Sequence, residues 1–423
     1  MPRPSFRSTL VLLVALGLAV RLVYALVVMH GVGVGGDGLE FHLLANQLAD
    51  GDGYIQPLIV APEHVATADK PPLYPLLLAL PSLAGWDSVV AHRVLSCLMG
   101  AVLVAGAGLL GRRVGGERVG LVAAAIAALY PLLVVLDGSL RSESLYAPLL
   151  AFALLAAYRV RDRPSAGRAV VLGVLLGAAA LTRSEALLLA ALIIGLLVLR
   201  LPRPRRLRVA VVAAAAAALV VAPWVVRNWA EFGRPLLSNN SGSLTYGSNC
   251  HAAYYSRAIG TWACYPHLRT APGRDEADVS DELRRTGLRY AREHAGRLPA
   301  VAGVRVLRSF DLWSPRSATR FEARIADRDL GVYRAGVIAY FLMLPLAVAG
   351  AIALRRRGEP LGFLLAPVVL VVAVSVLGYG TPRFRVPAEI PLVVLSAVAL
   401  AAVAARRATP RSPEAEPEPE PVA

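Results

Sequence analysis

Asp37, in "GVGGDGLEFHLL", and Lys70, in "TADKPPLYP", are the residues of this 423-residue chain best suited to do chemistry together. Lys70 is the sole lysine: of 44 basic residues, the other 43 are arginine. Arginine dominance with abundant Ala, Val, Gly and Pro is what a GC-rich coding sequence writes by default, so a retained lysine carries information. An ammonium is a compact point charge on a flexible stem, suited to reaching a phosphate oxygen, whereas arginine presents a planar fork. Pro71 and Pro72 restrict the backbone that carries it. A carboxylate such as Asp37 can take the proton of an attacking hydroxyl. Fixed positive charge stabilises a leaving phosphate as it gains negative charge. Lys70, with Arg183 or the alternating pair Arg383 and Arg385 in "PRFRVP", can supply that charge.

Each candidate also has a plainer reading. Asp37 precedes a run in which Glu40, Leu43, Leu44, Gln47 and Leu48 keep helical spacing, and there it reads equally as an N-cap. Lys70 reads as a snorkelling interfacial cation, although arginine would serve that purpose as well. Arg383 and Arg385 read as a basic loop on lipid headgroups, Arg183 with Glu185 as a salt bridge at a hairpin tip, and Glu143 as the cap of a helix starting near Ser142.

The elements that must position these residues are membrane helices. A hydrophobic fraction of 56% and a mean hydropathy of +0.57 exceed what a soluble domain buries. The net charge of +15 sits in short clusters between apolar runs, which reads as topology signalling and not as a nucleic-acid surface. Ten apolar runs fall near 10–29, 89–110, 119–136, 142–158, 169–182, 185–199, 209–226, 333–354, 361–377 and 388–405, and crossing a bilayer takes roughly 20 residues. The pair 169–182 and 185–199 reads as a hairpin with its tip at the membrane edge. The first run, preceded by Arg3 and Arg7, is too long for a signal-peptide core and lacks a clean small-residue cleavage site, so an uncleaved anchor is expected.

Clusters such as "GRRVGGER", "RLPRPRRLR" and "RRRGEP" all become cytoplasmic if the amino terminus is inside. That closes only if "PLYPLLLALPSL" (72–83) does not cross and lies as a juxtamembrane or re-entrant helix. The expected organisation is a transmembrane module over 1–226 with a first outer loop at 30–88, a large extracytoplasmic loop at 227–332, further transmembrane helices over 333–405 and a cytoplasmic tail over 406–423. Asp37, Glu40, Asp69, Lys70, Glu143, Arg183, Glu185, Arg383 and Arg385 then share the outer face, and almost no ionisable residue is expected at mid-membrane. A transporter or flippase, the alternative class, is expected to carry intramembrane charge and often an inverted repeat.

The ordered set "DKPPLYPLLLAL", "RVLSCLMGAVLVAGAGLLGRRVGGERVG", "SLRSESLYAPLLAFALLAA", "LTRSEALLL" and "YGTPRFRVPAEIPLVVL" resembles the GT-C superfamily of membrane glycosyltransferases. Within it, the branch of the protein mannosyltransferases and the lipid A aminoarabinose transferase is the more similar. The resemblance implies an all-α polytopic bundle of about ten transmembrane helices with extracytoplasmic juxtamembrane helices and one large outer loop. It implies a glycosyltransferase in the cell membrane, using a polyprenyl-phosphate sugar and an extracytoplasmic glycan, lipid or protein acceptor, with inversion. By the same resemblance Asp37 matches the acidic residue that serves as catalytic base or substrate orienter, Lys70 the lysine that meets the donor phosphate, and Asp69 the acid before it. Glu143 matches the acidic residue of the second loop. The family often has a second acid directly after the first, where this chain has Gly38 and places its next acid at Glu40. A divalent metal is compatible with such chemistry, and none is required by the sequence.

In the long outer loop, Cys250 and Cys264 are expected to form a disulfide in an oxidising compartment. A metal site of Cys250, His251, Cys264 and His267 matches no standard zinc spacing. Tyr246, Tyr254, Tyr255, Trp262 and Tyr265 suit sugar stacking and membrane interfaces equally. Val301, Val304, Leu307, Phe310 and Trp313, with Arg305 and Arg308 between them, suggest a helix along the outer membrane surface. The tail "SPEAEPEPEPVA" has the composition of a disordered segment.

Overall fold

A computed structural model of the chain describes residues 5–58, 65–266 and 274–408. The Pro- and Glu-rich tail and His267 lie outside the described residues. The described chain is built of helices, and its extended pairing among the described residues is an isolated antiparallel bridge between Ile55 and Ala66.

Six helices are long and apolar enough to cross a membrane, or seven if one bent pair counts as a single span. They begin at Phe6, Val89, Glu143, Arg205, Leu330 and Pro382, and the bent pair is Glu117–Leu129 with Pro131–Gly138. The other three expected crossings are the apolar helices Ala166–Ala180, Ala186–Arg200 and Gly362–Leu377, of 15, 15 and 16 residues. All ten expected apolar runs are therefore helical, while length and composition alone support six or seven crossings of an integral membrane protein. The proline-bracketed run forms the short helix Leu73–Leu83. It packs on Asp37–Asp50 through Phe41, whose ring meets Tyr74 edge-on at 5.0 Å.

The bend between Glu117–Leu129 and Pro131–Gly138 has a chemical cause. Pro131 has no N–H to give to the carbonyl of Ala127, and the two segments diverge by 50°. Arg21, from the first span, fills the vacancy. Its guanidinium donates to Ala127 O at 3.0 Å, Ala128 O at 3.2 Å, Gly17 O at 3.0 Å and Asp137 Oδ2 at 2.7 Å. A Cβ at position 100 would lie 2.0 Å from Asp137 Oδ2, so only Gly100 leaves room for this pair. Arg21 and Asp137 qualify the expectation of a span interior almost free of charge. Both are fully buried, and their donors and acceptors are spent on mending a broken helix.

The mended segment leads straight into two charged residues at the same end of the bundle as Asp37. Leu140, buried and at φ 48°, turns the chain out of Pro131–Gly138 and delivers Arg141 and then Glu143, the first residue of Glu143–Asp162. The long segment between Arg203–Phe232 and Leu330–Arg356 contributes the helices Ser241–Ser248, Glu276–Glu293, Leu298–Ser309 and Pro315–Ile325. Cys250 and Cys264 are joined in a disulfide within it.

The helix Leu298–Ser309 departs from the expectation of a membrane-surface helix. Val301, Val304, Arg305 and Arg308 are all buried. Arg305 donates to Val376 O at 3.0 Å and Ser248 O at 2.6 Å, and Arg308 to Ile259 O at 2.6 Å. Its period-three pattern is split: Val301 and Val304 pack inward with the two arginines on backbone carbonyls, while Leu307 and Trp313 stay exposed.

Candidate active site

The charged residues that the sequence assigns to one face converge at one end of the bundle. Asp37 is the first residue of the helix Asp37–Asp50, one past its cap, and the cap is Gly36. Its carboxylate is turned away from cap duty. Oδ1 lies 3.5 Å from Lys70 Nζ, and Oδ2 lies 3.1 Å from Arg141 Nη1 and accepts from Arg383 Nη1. Lys70 also meets Glu40 Oε2 at 3.1 Å and Asp69 Oδ2 at 2.8 Å. Glu143 accepts from both Arg383 and Arg183, and Arg183 reaches Glu185 as well.

Gly38 explains the departure from the acid-acid pattern. A Cβ there would stand 2.6 Å from Val34 Cγ2 and 2.9 Å from the carbonyl of Ser139. The helix bearing Asp37 comes so close to the turn bearing Arg141 that a second acid directly after Asp37 cannot fit. Glu40, one turn along, supplies it instead.

The backbone that presents Lys70 is fixed from several elements. Tyr54 donates its hydroxyl to Lys70 O at 3.0 Å, and Ser238 donates to Asp69 O at 2.7 Å. Arg227 donates to Thr67 O at 2.7 Å and Tyr54 O at 3.0 Å. Glu276, opening the helix Glu276–Glu293, accepts from Ala68 N at 2.7 Å, Gln56 Nε2 at 2.8 Å and Thr67 Oγ1 at 3.0 Å. Nothing in the sequence pattern singles out Tyr54, Arg141, Arg227, Ser238 or Glu276. Most of them act on main-chain groups, a duty that leaves no spacing signature.

Arg385 does not join the cluster. Pro382–Arg385 is a 3₁₀ turn, and at three residues per turn, side chains two positions apart point about 120° from one another. Arg383 faces Asp37 and Glu143, while Arg385 is committed to Asp311 at 2.8 Å and Glu389 at 2.6 Å over the ring of Tyr340. Reading the two arginines as a pair at one site is therefore corrected by the turn between them.

Burial raises the carboxyl of Asp37, but Lys70, Arg383 and Arg141 outweigh it and hold the group well below its ordinary 3.8. Burial opposes the charge on Lys70, and Asp37, Asp69 and Glu40 overcome it, leaving the ammonium well above 10.5. Glu40 goes the other way. Burial, with repulsion from Asp37 and Asp69, lifts it above 4.5 despite Lys70. One ammonium thus serves three carboxylates, and Glu40 is the one left over. The acids do not fit a resident divalent ion, because Asp37, Glu40 and Asp69 converge on the ammonium. Among the described residues no group of three or more His, Cys, Asp or Glu is disposed to hold a metal.

The GT-C resemblance read from the sequence is borne out. Residues 69–227 match the family model of dolichyl-phosphate-mannose-protein mannosyltransferases, a stretch that includes Asp69, Lys70, Glu143 and Arg183. The fold is similar to the archaeal oligosaccharyltransferase AglB from Archaeoglobus fulgidus, solved with an inhibitory peptide and a dolichol-phosphate, at a TM-score of 0.57 and 16% identity, over 95% of this chain and 50% of that one. The apo form of the Archaeoglobus fulgidus oligosaccharyltransferase gives 0.58 at 14% identity, over 96% and 51%. This chain therefore spans about half the length of those enzymes. ArnT from Cupriavidus metallidurans bound to undecaprenyl phosphate aligns at 18% identity over 93% and 78%, with a TM-score of 0.44 that is too loose to argue from. No curated protein matches the sequence significantly.

Proposed function

We propose that this protein is a membrane glycosyltransferase that moves a sugar from a polyprenyl-phosphate donor to an extracytoplasmic acceptor, a glycan, lipid or protein, with inversion at the anomeric carbon. The observation that carries the reading is the contact of a proton acceptor with two phosphate-binding cations: Asp37 touches both Lys70 and Arg383.

The acceptor hydroxyl attacks the anomeric carbon from the face opposite the phosphate. The new C–O bond forms, the bond to the phosphate oxygen breaks, and polyprenyl phosphate leaves with the electron pair. The hydroxyl proton goes to Asp37. In the resting site Asp37 is a weak base because Lys70, Arg141 and Arg383 depress it. As the departing phosphate gains charge it draws on Lys70 and Arg383, and the carboxylate they release becomes more basic while the proton is being given up. The transmembrane module over 1–226 supplies Asp37, Lys70 and Glu143, and Arg383 comes from beyond the outer loop. The intramembrane pair Arg21 and Asp137 lends transport no support, because it is satisfied within a helix repair.

The test supplies purified protein with a panel of polyprenyl-phosphate sugars and follows release of polyprenyl phosphate. Wild type is expected to turn over at least one donor, and Asp37→Asn to lose about a hundredfold or more, the scale of a positioned acid–base group. Equal release by both proteins would overturn the assignment.

A further inference from the structure

The helix Pro315–Ile325 has a surface that the site does not use. Ala318, Thr319, Glu322 and Ala323 face inward and are buried. Glu322 accepts from Thr381 Oγ1, just ahead of the turn bearing Arg383, and the carbonyl of Ile325 accepts from Arg141 at 3.3 Å. The helix is thus bolted to the end of the bundle that carries Asp37. Its other sides are exposed. Arg316, Arg320 and Arg324 recur every fourth residue, so at about 100° per residue they advance only about 40° each and form one stripe. Phe321 and Ile325, 56% and 42% exposed, form a second stripe about 120° further round. Leu312 and Trp313, also exposed, precede the helix. Among the described residues none of the three arginines pairs with a carboxylate.

The helix is also confined to the membrane edge. Four residues, 326–329, separate it from the helix Leu330–Arg356, and they reach at most about 14 Å. That helix, at 27 residues, is about 40 Å long and overspans a hydrocarbon core of about 30 Å, so its first turn lies at headgroup level.

We infer that Pro315–Ile325 is an interfacial helix that docks on anionic phospholipid headgroups of the leaflet at the site end of the bundle. Phe321 and Ile325 dip toward the acyl boundary, and the arginine stripe takes the phosphates. The two stripes fit that occupant together: unpaired guanidiniums alone would suit any anion, and the apolar flank beside them suits a lipid layer. The inference holds whether or not the site transfers sugar.

The test is hydrogen exchange of the amides of residues 315–326 in full-length protein, held in nanodiscs of phosphatidylcholine alone or with about one third phosphatidylglycerol. Exchange is expected to be at least about fivefold slower with the anionic lipid, on the order expected for basic residues at a charged surface. The triple variant Arg316→Gln, Arg320→Gln, Arg324→Gln is expected to lose that difference while exchange elsewhere is unchanged. Soluble glycerol phosphate added to the neutral discs is expected to give no protection. Equal exchange in the two discs for wild type, retained protection in the triple variant, or protection by glycerol phosphate alone would each overturn the inference.

Discussion

The two ends of the bundle are written in the same residues and behave differently. The helix Glu143–Asp162, 20 residues and about 30 Å long, carries an acid at each end. At its start, buried Glu143 is gripped by Arg183 and Arg383. Beyond them Lys70, Arg141, Asp37, Glu40, Asp69 and Glu185 continue the lattice. At its finish, Asp162 receives Arg113 at 2.5 and 2.6 Å, a bidentate pair of good geometry whose side chains remain 33% and 24% exposed. The difference lies in the burial of the cations and of Glu143: at the near end Lys70, Arg141, Arg183 and Arg383 are at most 17% exposed and Glu143 1%, whereas Arg113 and Arg161, which share Asp162 and Glu359 at the far end, are 24% and 31% exposed. Water screens the far end, which serves as a basic collar. At the near end Lys70, Arg183 and Arg383 are each held by two or three acids, so under the proposed reaction a donor phosphate would exchange partners within an arrangement already in place.

Removing the centre of the near lattice should have the largest effect. Lys70→Ala is expected to lower polyprenyl-phosphate release by about a hundredfold or more. Lys70→Arg should recover little, because a planar fork cannot meet three carboxylates that converge on one point. Full activity in Lys70→Arg would mean that any cation serves. Next comes Glu143→Gln, which strips two guanidiniums of their buried anion. It is expected to cost about 3 kcal/mol of stability, as for a broken buried pair, read as a lower unfolding midpoint. A Glu143→Gln, Arg183→Gln double variant should recover part of that loss, and a midpoint no better than the single variant's would argue against the shared pairing.

Glu40 sharpens the contrast within the near end. Its carboxyl sits above 4.5 in the folded chain, so the ionised form is disfavoured there and costs stability above that raised value. Glu40→Gln should therefore raise the unfolding midpoint at pH 7, with the gain shrinking as pH falls and gone below about 4.5. Asp37 has the opposite sign. Its contribution is full above 3.8 and is lost as pH falls through its depressed folded value. A Glu40→Gln variant less stable than wild type at pH 7 would reverse the assignment of the surplus acid. The smallest effect belongs to the far end: Arg113→Gln should change stability by less than about 1 kcal/mol and leave turnover untouched.

The charge ring was legible because helix direction, set by the arginine clusters, forces Asp37, Lys70, Glu143, Arg183 and Arg383 to one end whatever the packing. The length of Gly362–Leu377 was legible to within a residue in the run 361–377, whereas Ala166–Ala180 begins three residues before its run 169–182, because an apolar run does not announce where its first turn begins. The burial of Val301, Val304, Arg305 and Arg308 was not legible, because a helix packed against the protein and a lipid-facing helix share one periodicity. What separates Arg305 and Arg308 from Arg316 and Arg320 is the nearby carbonyls, and these come from residues far away in sequence. The alternation of Arg383 and Arg385 was misleading for a local reason: a 3₁₀ turn disperses what an extended strand would align.

The lacing of Ala68 to Glu276 has a mechanical corollary. The strand ending in the ammonium and the first turn of the Glu276–Glu293 helix are tied by amide and carboxylate, with Ser238 and Asn239 close by as further stitches. A shift of the Glu276–Glu293 helix would therefore pull on the backbone that carries the positive charge of Lys70.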